Sequence, residues 1–329
     1  PPRSTLFPYT TLFRSGENDK DNSQKSLENS EPIIDTLNPI SWIKCYQRIN
    51  QFKPDIVIFH WWTTYFAFFY FTIMKLMRKD KYQKICIVHN LFPHEKNLID
   101  PFLTKFALNN FNNYIFHSKN VEEKFILILP NKLHHYFPHP LYKNFRKKNI
   151  GKREAKQLLG FSESDILLLM FGLIRPYKGL SCLLEAMHSI IQQNHNYRLI
   201  VAGEFWDSIK KYHTQISKLG LDDYITIHNK YIPDDEVPIY FSAADIFTAP
   251  YVSGTQSGAL KIALSYKLPI VASSVISEEK KKNDENWLVV PPNDPEALSL
   301  AIQKIQLTNE INIEDYASWS DFASFIMEI

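Results

Sequence analysis

The chain has 329 residues, 45% hydrophobic and 22% charged, which excludes a disordered polymer and leaves room for two domains, each with its own core. Its three cysteines, Cys45, Cys86 and Cys182, are too few and too widely spaced for a disulfide framework or a metal cluster, and they suit a reducing compartment. The net charge of +2 hides an asymmetry: residues 32–150 carry 17 Lys and Arg against 7 Asp and Glu, a balance of +10, whereas residues 151–329 carry 16 against 23, a balance of −7. A basic half points to an anionic partner such as a membrane surface or a phosphorylated lipid. A Lys-, Asn- and Ile-rich composition would also raise Lys, but it leaves the acidic second half unexplained.

Pro1 to Ser15 (PPRSTLFPYTTLFRS) have neither a hydrophobic period nor the layout of a signal peptide, and they match the conceptual translation of a sequencing-library adapter. The expectation is that the natural sequence resumes near residue 16 with its own start missing. Residues 16–36 read as a polar loop. Asn38-Pro39 then opens a helix to Phe52, DIVIF (55–59) forms a short buried strand, and residues 65–78 form an apolar helix. The run from Ile56 to Met74 has no charged residue and is long enough to span a bilayer. His60, Thr63 and Thr64 interrupt it where a strand would end and a helix begin, which favours strand, loop and helix. Arg78, Lys79, Lys81 and Lys84 follow, so a helix lying at a membrane interface is the third reading.

Strand 85–89, helix 101–110, strand 114–117 and helix 120–128 complete a first domain over 37–147. A second domain over 148–310 repeats the rhythm. It has helix 153–159, strand 166–171, helix 180–193, strand 198–202, helix 207–219, strand 224–228 and helix 235–243. Strand 246–249, helix 257–266, strands 269–272 and 287–290 and helix 294–305 follow, with a helical segment over 311–329. Alternation of strand and helix implies parallel sheets covered on both faces, with ligands at the carboxyl ends of the strands.

Two segments carry chemistry. Phe171-Gly-Leu-Ile-Arg-Pro-Tyr-Lys-Gly179 follows a strand; Gly172 permits a tight turn, and Pro176 stiffens a loop that presents Arg175 and Lys178. Two such cations can grip two phosphates, although they could equally be solvated surface charges. Tyr251-Val-Ser-Gly-Thr-Gln-Ser-Gly258 follows another strand and runs into a helix, where small hydroxyls, two glycines and free N–H groups admit an anion. A helix cap alone needs one Ser or Thr, not this run. Together the two segments predict a diphosphate cradle. His89 and His94 follow a strand end; His134, His135 and His139 show no metal spacing and read as surface or domain-edge residues. Asp222-Asp223 and Asp234-Asp235 read as turns.

With these motifs the chain resembles the GT-B glycosyltransferases, specifically the large retaining family 4, over residues 32 to about 320. Ala202-Gly203-Glu204, Ala243-Ala-Asp-Ile-Phe-Thr-Ala-Pro250, Pro269-Ile-Val-Ala-Ser273 and Pro291-Pro-Asn-Asp-Pro295 follow in the family's order. In the first half His60-Trp61-Trp62, Val88-His-Asn-Leu-Phe-Pro-His-Glu95 and Phe116-His117-Ser118 resemble the acceptor domain. The resemblance implies an α/β fold of two Rossmann-like domains facing across a cleft, the first domain incomplete. It also implies a donor diphosphate held by Arg175 and Lys178, with Gly172, Glu204, Thr255, Gln256, Ser257 and Gly258 around it and His89 positioning the reacting groups. The family's pair of glutamates eight residues apart falls on Gly254 and Ile262, so the loop belongs to a subgroup in which Thr255, Gln256 and Ser257 would supply hydrogen bonds instead.

The implied activity is transfer of a hexose, with retention, from a nucleotide-diphosphate sugar to a glycan or lipid-linked acceptor. The implied place is the cytoplasm, at the inner face of the membrane. No cofactor, catalytic metal or nucleic acid is expected, and the chain as written is expected to have little activity. A non-catalytic partner subunit that binds nucleotide sugar or glycan, or a nucleotide-sugar epimerase, are the alternatives.

Overall fold

The computed structural model describes residues 33–35, 37–79, 82–92, 98–147, 150–254, 256–282, 284–307 and 310–329. The adapter-like segment and most of the polar loop lie outside them. The chain divides into two compact units, with the boundary between Phe137 and Pro138.

In the first unit α1 (Pro39–Phe52) is followed by β1 (Ile56–Trp61), α2 (Ala67–Leu76), β2 (Gln83–Val88), α3 (Asp100–Leu108), β3 (Asn113–Phe116), α4 (Lys119–Ile128) and β4 (Leu133–Tyr136). The Asn38 side chain accepts the Ile40 N–H, and Pro39 takes a first-turn position that needs no N–H donor, so α1 starts where expected. Ser118 caps α4 in the same way. The sheet is wholly parallel and runs in chain order, β1-β2-β3-β4. Its core gathers Phe59, Trp61, Tyr70, Met77, Tyr114, Phe116 and Phe125.

The uncharged run from Ile56 to Met74 is therefore strand, loop and helix. Among the described residues no helix is long and apolar enough to cross a membrane. Strand β4 was not anticipated. Its residues Leu133-His-His-Tyr136 have no apolar run, because an edge strand needs less burial than a central one.

The second unit contains α5 (Lys152–Leu158), β5 (Ile166–Phe171), α6 (Leu180–Ile191), β6 (Tyr197–Ala202), α7 (Ile209–Lys218), β7 (Ile225–His228) and α8 (Val237–Ala243). Then come β8 (Ile246–Ala249), α9 (Gly258–Ser265), β9 (Ile270–Ser273), β10 (Trp287–Val290), α10 (Pro295–Lys304) and α11 (Trp319–Glu328). Its six parallel strands lie in the order β10-β9-β8-β5-β6-β7. Alternate residues of β5 feed opposite faces, as a pleated strand requires. Leu167 and Leu169 join Phe241, Phe247 and Leu260 in one core layer, while Leu168 and Met170 join Leu183, Ile190 and Leu298 in the other. Both faces of the sheet are thus covered, which explains the unbroken apolar run ILLLMF.

The terminal segment packs within this unit. Trp319 of α11 makes ring contacts with His139 and Tyr142, and the Leu141 N–H donates to the Ala317 carbonyl. His139, read from the sequence as a surface or domain-edge residue, is buried among these rings.

Candidate functional site

The strand order of the second unit reverses direction between β5 and β8. In an open parallel sheet this reversal splays the two following loops to opposite sides and leaves a crevice at the strands' carboxyl ends. The loops that leave β5 and β8 are the two segments singled out in the sequence.

The structure joins them. The Val252 N–H donates to the Tyr177 carbonyl at 2.7 Å, and the Tyr177 and Tyr251 rings meet edge to face with centroids 5.9 Å apart. Gly179 has φ +76°, and a Cβ there would fall well inside 3.0 Å of the Pro250 carbonyl oxygen. Only glycine fits that position. Gly203 sits equally close to the Gly172 carbonyl, which brings the end of β6 against the start of the cation loop. Beyond it the Ile174 N–H donates to the Glu204 carbonyl at 2.8 Å and the Trp206 N–H to the Ile174 carbonyl at 3.0 Å.

The cations occupy distinct settings in this frame. Arg175, in extended backbone just before a single 3-10 turn (Pro176–Lys178), lays its guanidinium over the Trp206 ring at 4.2 Å. That stacking keeps the planar group oriented while leaving its N–H edges for an acceptor. Lys178 is 93% buried by side-chain packing, its exposure being only 7%. Its Nζ donates to the Phe171 carbonyl at 3.2 Å and lies 5.4 Å from the Tyr251 ring centre. The turn at Gly172 (φ +98°) makes room for it, since a Cβ there would stand 3.0 Å from Nζ. Among the described residues neither Arg175 nor Lys178 has a carboxylate partner. A buried ammonium without a counter-charge is costly, so its environment calls for an anion.

Of the second loop, Thr255 lies outside the described residues. Gly254 has φ +146°, and the Gln256 Nε2 is buried without a hydrogen-bond partner among the described residues. Ser257 caps α9, its Oγ accepting the Leu260 N–H at 3.3 Å, and also meets the Tyr251 hydroxyl at 3.0 Å. Its hydroxyl is thus engaged in holding the loop, and among the described residues no acceptor is seen for the first-turn N–H groups of Gly258 and Ala259. Gly172, Arg175, Lys178, Glu204, Gln256, Ser257 and Gly258 therefore gather around one end of one sheet. Trp206 and Tyr251 belong with them and were not singled out as supports. The position of Trp206, three residues past the Gly203 turn, was the only sequence cue.

Behind the second loop, Lys261 of α9 is buried and ion-paired with Glu279. Burial lowers its pKa to about 7.

His89 stands in the first unit, just past β2. It has two histidine neighbours at the carboxyl ends of the adjacent strands: His60 of β1, whose Nδ1 is 2.8 Å from the His89 Nε2, and His117 after β3, whose ring centre is 5.9 Å away. Trp62 stacks on His89 at 3.7 Å, with the planes 5° apart. His117 donates from Nδ1 to the Phe137 carbonyl at 2.8 Å. Burial, with His117 nearby, lowers the His60 pKa to about 4, so this ring is neutral near pH 7. His94 lies outside the described residues. Among the described residues no three His, Cys, Asp or Glu side chains converge as metal ligands do.

A doubly covered parallel sheet with two loops at its reversal point defines a doubly wound α/β protein. Residues 165–307 match the family described as Glycosyl transferases group 1. A Bacillus subtilis (strain 168) protein, YtcC, is 29% identical over 177 residues, which are 50% of this chain and 42% of its own. A phosphatidyl-myo-inositol mannosyltransferase of Mycobacterium leprae (strain TN) is 26% identical over 188 residues, 53% of this chain and 49% of its own. The chain thus spans about half the length of the curated relatives it matches.

Among solved structures, Anabaena Alr3699/HepE in complex with UDP superposes with a TM-score of 0.72 at 15% identity, covering 92% of this chain and 86% of that one. Sucrose-phosphate synthase from Thermosynechococcus elongatus gives 0.63 at 17% identity, covering 80% and 68%. The fold is that of the GT-B glycosyltransferases, and the match to glycosyl transferases group 1 lies within the second unit.

Proposed function

We propose that the chain is a glycosyltransferase that takes a hexose from a nucleotide-diphosphate sugar and delivers it, with retention, to a glycan or lipid-linked acceptor. The observation that carries this reading is the buried Lys178 ammonium, without a carboxylate partner among the described residues, at the point where the sheet reverses. A diphosphate between Lys178, Arg175 and the first turn of α9 would supply the missing charge. As the bond from sugar to phosphate breaks, negative charge grows on the leaving diphosphate, and fixed cations oppose it without reorganisation. His89, held between Trp62 and His60, is the first unit's group for positioning the acceptor hydroxyl. That Anabaena Alr3699/HepE was solved with UDP and with UDP-glucose makes UDP the first nucleotide to test.

The decisive measurement is thermal stabilisation of the chain by UDP, GDP and ADP, since a ligand of the native state raises apparent stability by mass action. One nucleotide should stabilise it, and Arg175→Ala with Lys178→Ala should abolish the effect. Stabilisation by none of the three, or equal stabilisation of the double variant, refutes the reading. A second reading, a non-catalytic nucleotide-sugar-binding subunit, is favoured by Gly254 and Ile262, where the resemblance implies glutamates. It requires binding without any release of nucleotide from its sugar.

A further inference from the structure

We propose that the outward face of α2 and α3 docks on an anionic phospholipid surface. The inward faces of these helices are spent on the core, through Phe69, Tyr70, Ile73 and Met74 of α2 and Thr104, Ala107 and Leu108 of α3. Their outward faces are not polar, as a solvated helix face would be. Phe68 is 61% exposed, Phe102 is 71% exposed, and Leu98 and Ile99, just ahead of α3, are 101% and 62% exposed. The phenylalanine rings belong to one patch. Phe106 touches Phe68 edge to face at 5.9 Å, stacks on Phe71 at 4.0 Å and on Phe102 at 6.3 Å, and so bridges the two helices. A contiguous exposed patch of large apolar rings marks an interaction surface, unlike singly scattered residues.

The charge around the patch selects its occupant. Over residues 64–79 and 98–108 the cations are Lys75, Arg78, Lys79 and Lys105, and the only carboxylate is Asp100. Asp100 is buried and accepts the Thr64 hydroxyl at 2.5 Å, so it does not offset the cations at the surface. Lys75 lies over the Phe71 ring at 5.3 Å, which places an ammonium at the margin of the apolar area. Rings that enter the headgroup and acyl boundary, flanked by cations that meet lipid phosphates, are the chemistry of a helix lying in a bilayer interface. A second copy of the chain would bring the same cations against one another, which disfavours it as the occupant. The inference does not rest on the transferase reading, because neither donor nor acceptor is needed to observe it.

The test is sedimentation of the full chain with phosphatidylcholine vesicles, with and without phosphatidylglycerol, at low and high salt. The chain should sediment with the anionic vesicles, less so at high salt, and weakly with the neutral ones. Phe68→Ser with Phe102→Ser should lower partitioning by about tenfold, and Lys75→Glu with Lys79→Glu should remove the salt dependence. Leu127→Ser, which removes an exposed apolar side chain of α4 outside the patch, should leave binding unchanged, as should the circular dichroism of all three variants. Absence of vesicle binding, equal binding to both lipids, or binding that survives both double variants overturns the proposal. So does a concentration-dependent dimer that the Phe68→Ser, Phe102→Ser variant dissolves while vesicle binding is absent.

Discussion

Gly179→Ala tests whether the two loops form one cradle. The residue has φ +76°, where an alanine is strained by about 1 kcal/mol relative to glycine. Gly220, between α7 and β7, has φ +67° and nothing within 4 Å of where its Cβ would lie, so Gly220→Ala carries that conformational cost and nothing else. At Gly179 the new methyl would also meet the Pro250 carbonyl, backbone against backbone, and one loop must retreat. The retreat breaks the 2.7 Å hydrogen bond from Val252 to Tyr177, about 1 kcal/mol, and separates Tyr177 from Tyr251, about another 1 kcal/mol. The expected loss is about 3 kcal/mol for Gly179→Ala against about 1 kcal/mol for Gly220→Ala, read from urea midpoints at unchanged slope. Where the Gly179 variant remains folded, its affinity for nucleoside diphosphate should also fall, because Lys178 and the first turn of α9 no longer face a common point. Equal midpoints for the two variants would show that Gly179 does not abut Pro250 and that the joint cradle is wrong.

Replacing Arg175 or Lys178 singly by Ala should weaken nucleoside diphosphate binding by about 10- to 100-fold, the worth of one charge-assisted hydrogen bond, as measured by titration calorimetry. Trp206→Ala leaves the Arg175 charge in place but removes its 4.2 Å support, so it should cost less, under about tenfold; an effect as large as that of Arg175→Ala would show a direct role for the indole. The depressed pKa of His60 has a defined consequence for stability. Above the ordinary value of 6.5 the ring is neutral in both folded and unfolded chains and contributes no pH dependence. As pH falls from 6.5 towards 4 the unfolded chain gains a proton that the native ring resists, so stability declines by up to about 3 kcal/mol. His60→Gln should flatten the urea midpoint over that window, and an identical slope in the variant would place the titration elsewhere.

The architecture was legible because the parallel strands of a doubly covered sheet must be continuously apolar. ILLLMF, RLIVA and IFTA announce β5, β6 and β8 for that reason, and Asp294-Pro295 and Ser257 announce their helix starts. The edge strand β4 was not legible, since two of its four residues are histidines and the pattern of a core strand is absent. At the site, the residue types of the cradle could be read from the chain but their mutual arrangement could not. Pro250 lies 71 positions from Gly179, and only the reversal of strand order between β5 and β8 brings them together. The same applies to Lys178. Its charge is evident in the sequence, whereas its burial against one carbonyl and a tyrosine face depends on the Gly172 turn and on Tyr251 of the other loop. Ser257 shows the reverse, because the plainer of its two roles, the helix cap, is the one its hydrogen bonds serve.

The two positions where the resemblance implies glutamates bear on what the cradle can hold. Gly254 adopts φ +146°, a conformation that a residue with a side chain rarely takes, so this backbone has been built around glycine. Ile262 is buried in the layer formed by Phe241, Phe247 and Leu260, where a carboxylate would be desolvated without a partner. Neither position is a glutamate site waiting for its side chain; the loop and α9 follow a different local design. In that design the buried ionisable group next to Ile262 is Lys261, which pairs with Glu279. Polar recognition would then fall to Gln256, whose buried Nε2 has no partner among the described residues, and to the N–H groups of the first helical turn. Without the implied acid pair, a sugar held there would have fewer carboxylate acceptors for its hydroxyls. Selectivity among nucleotide sugars would then rest more heavily on groups outside this loop.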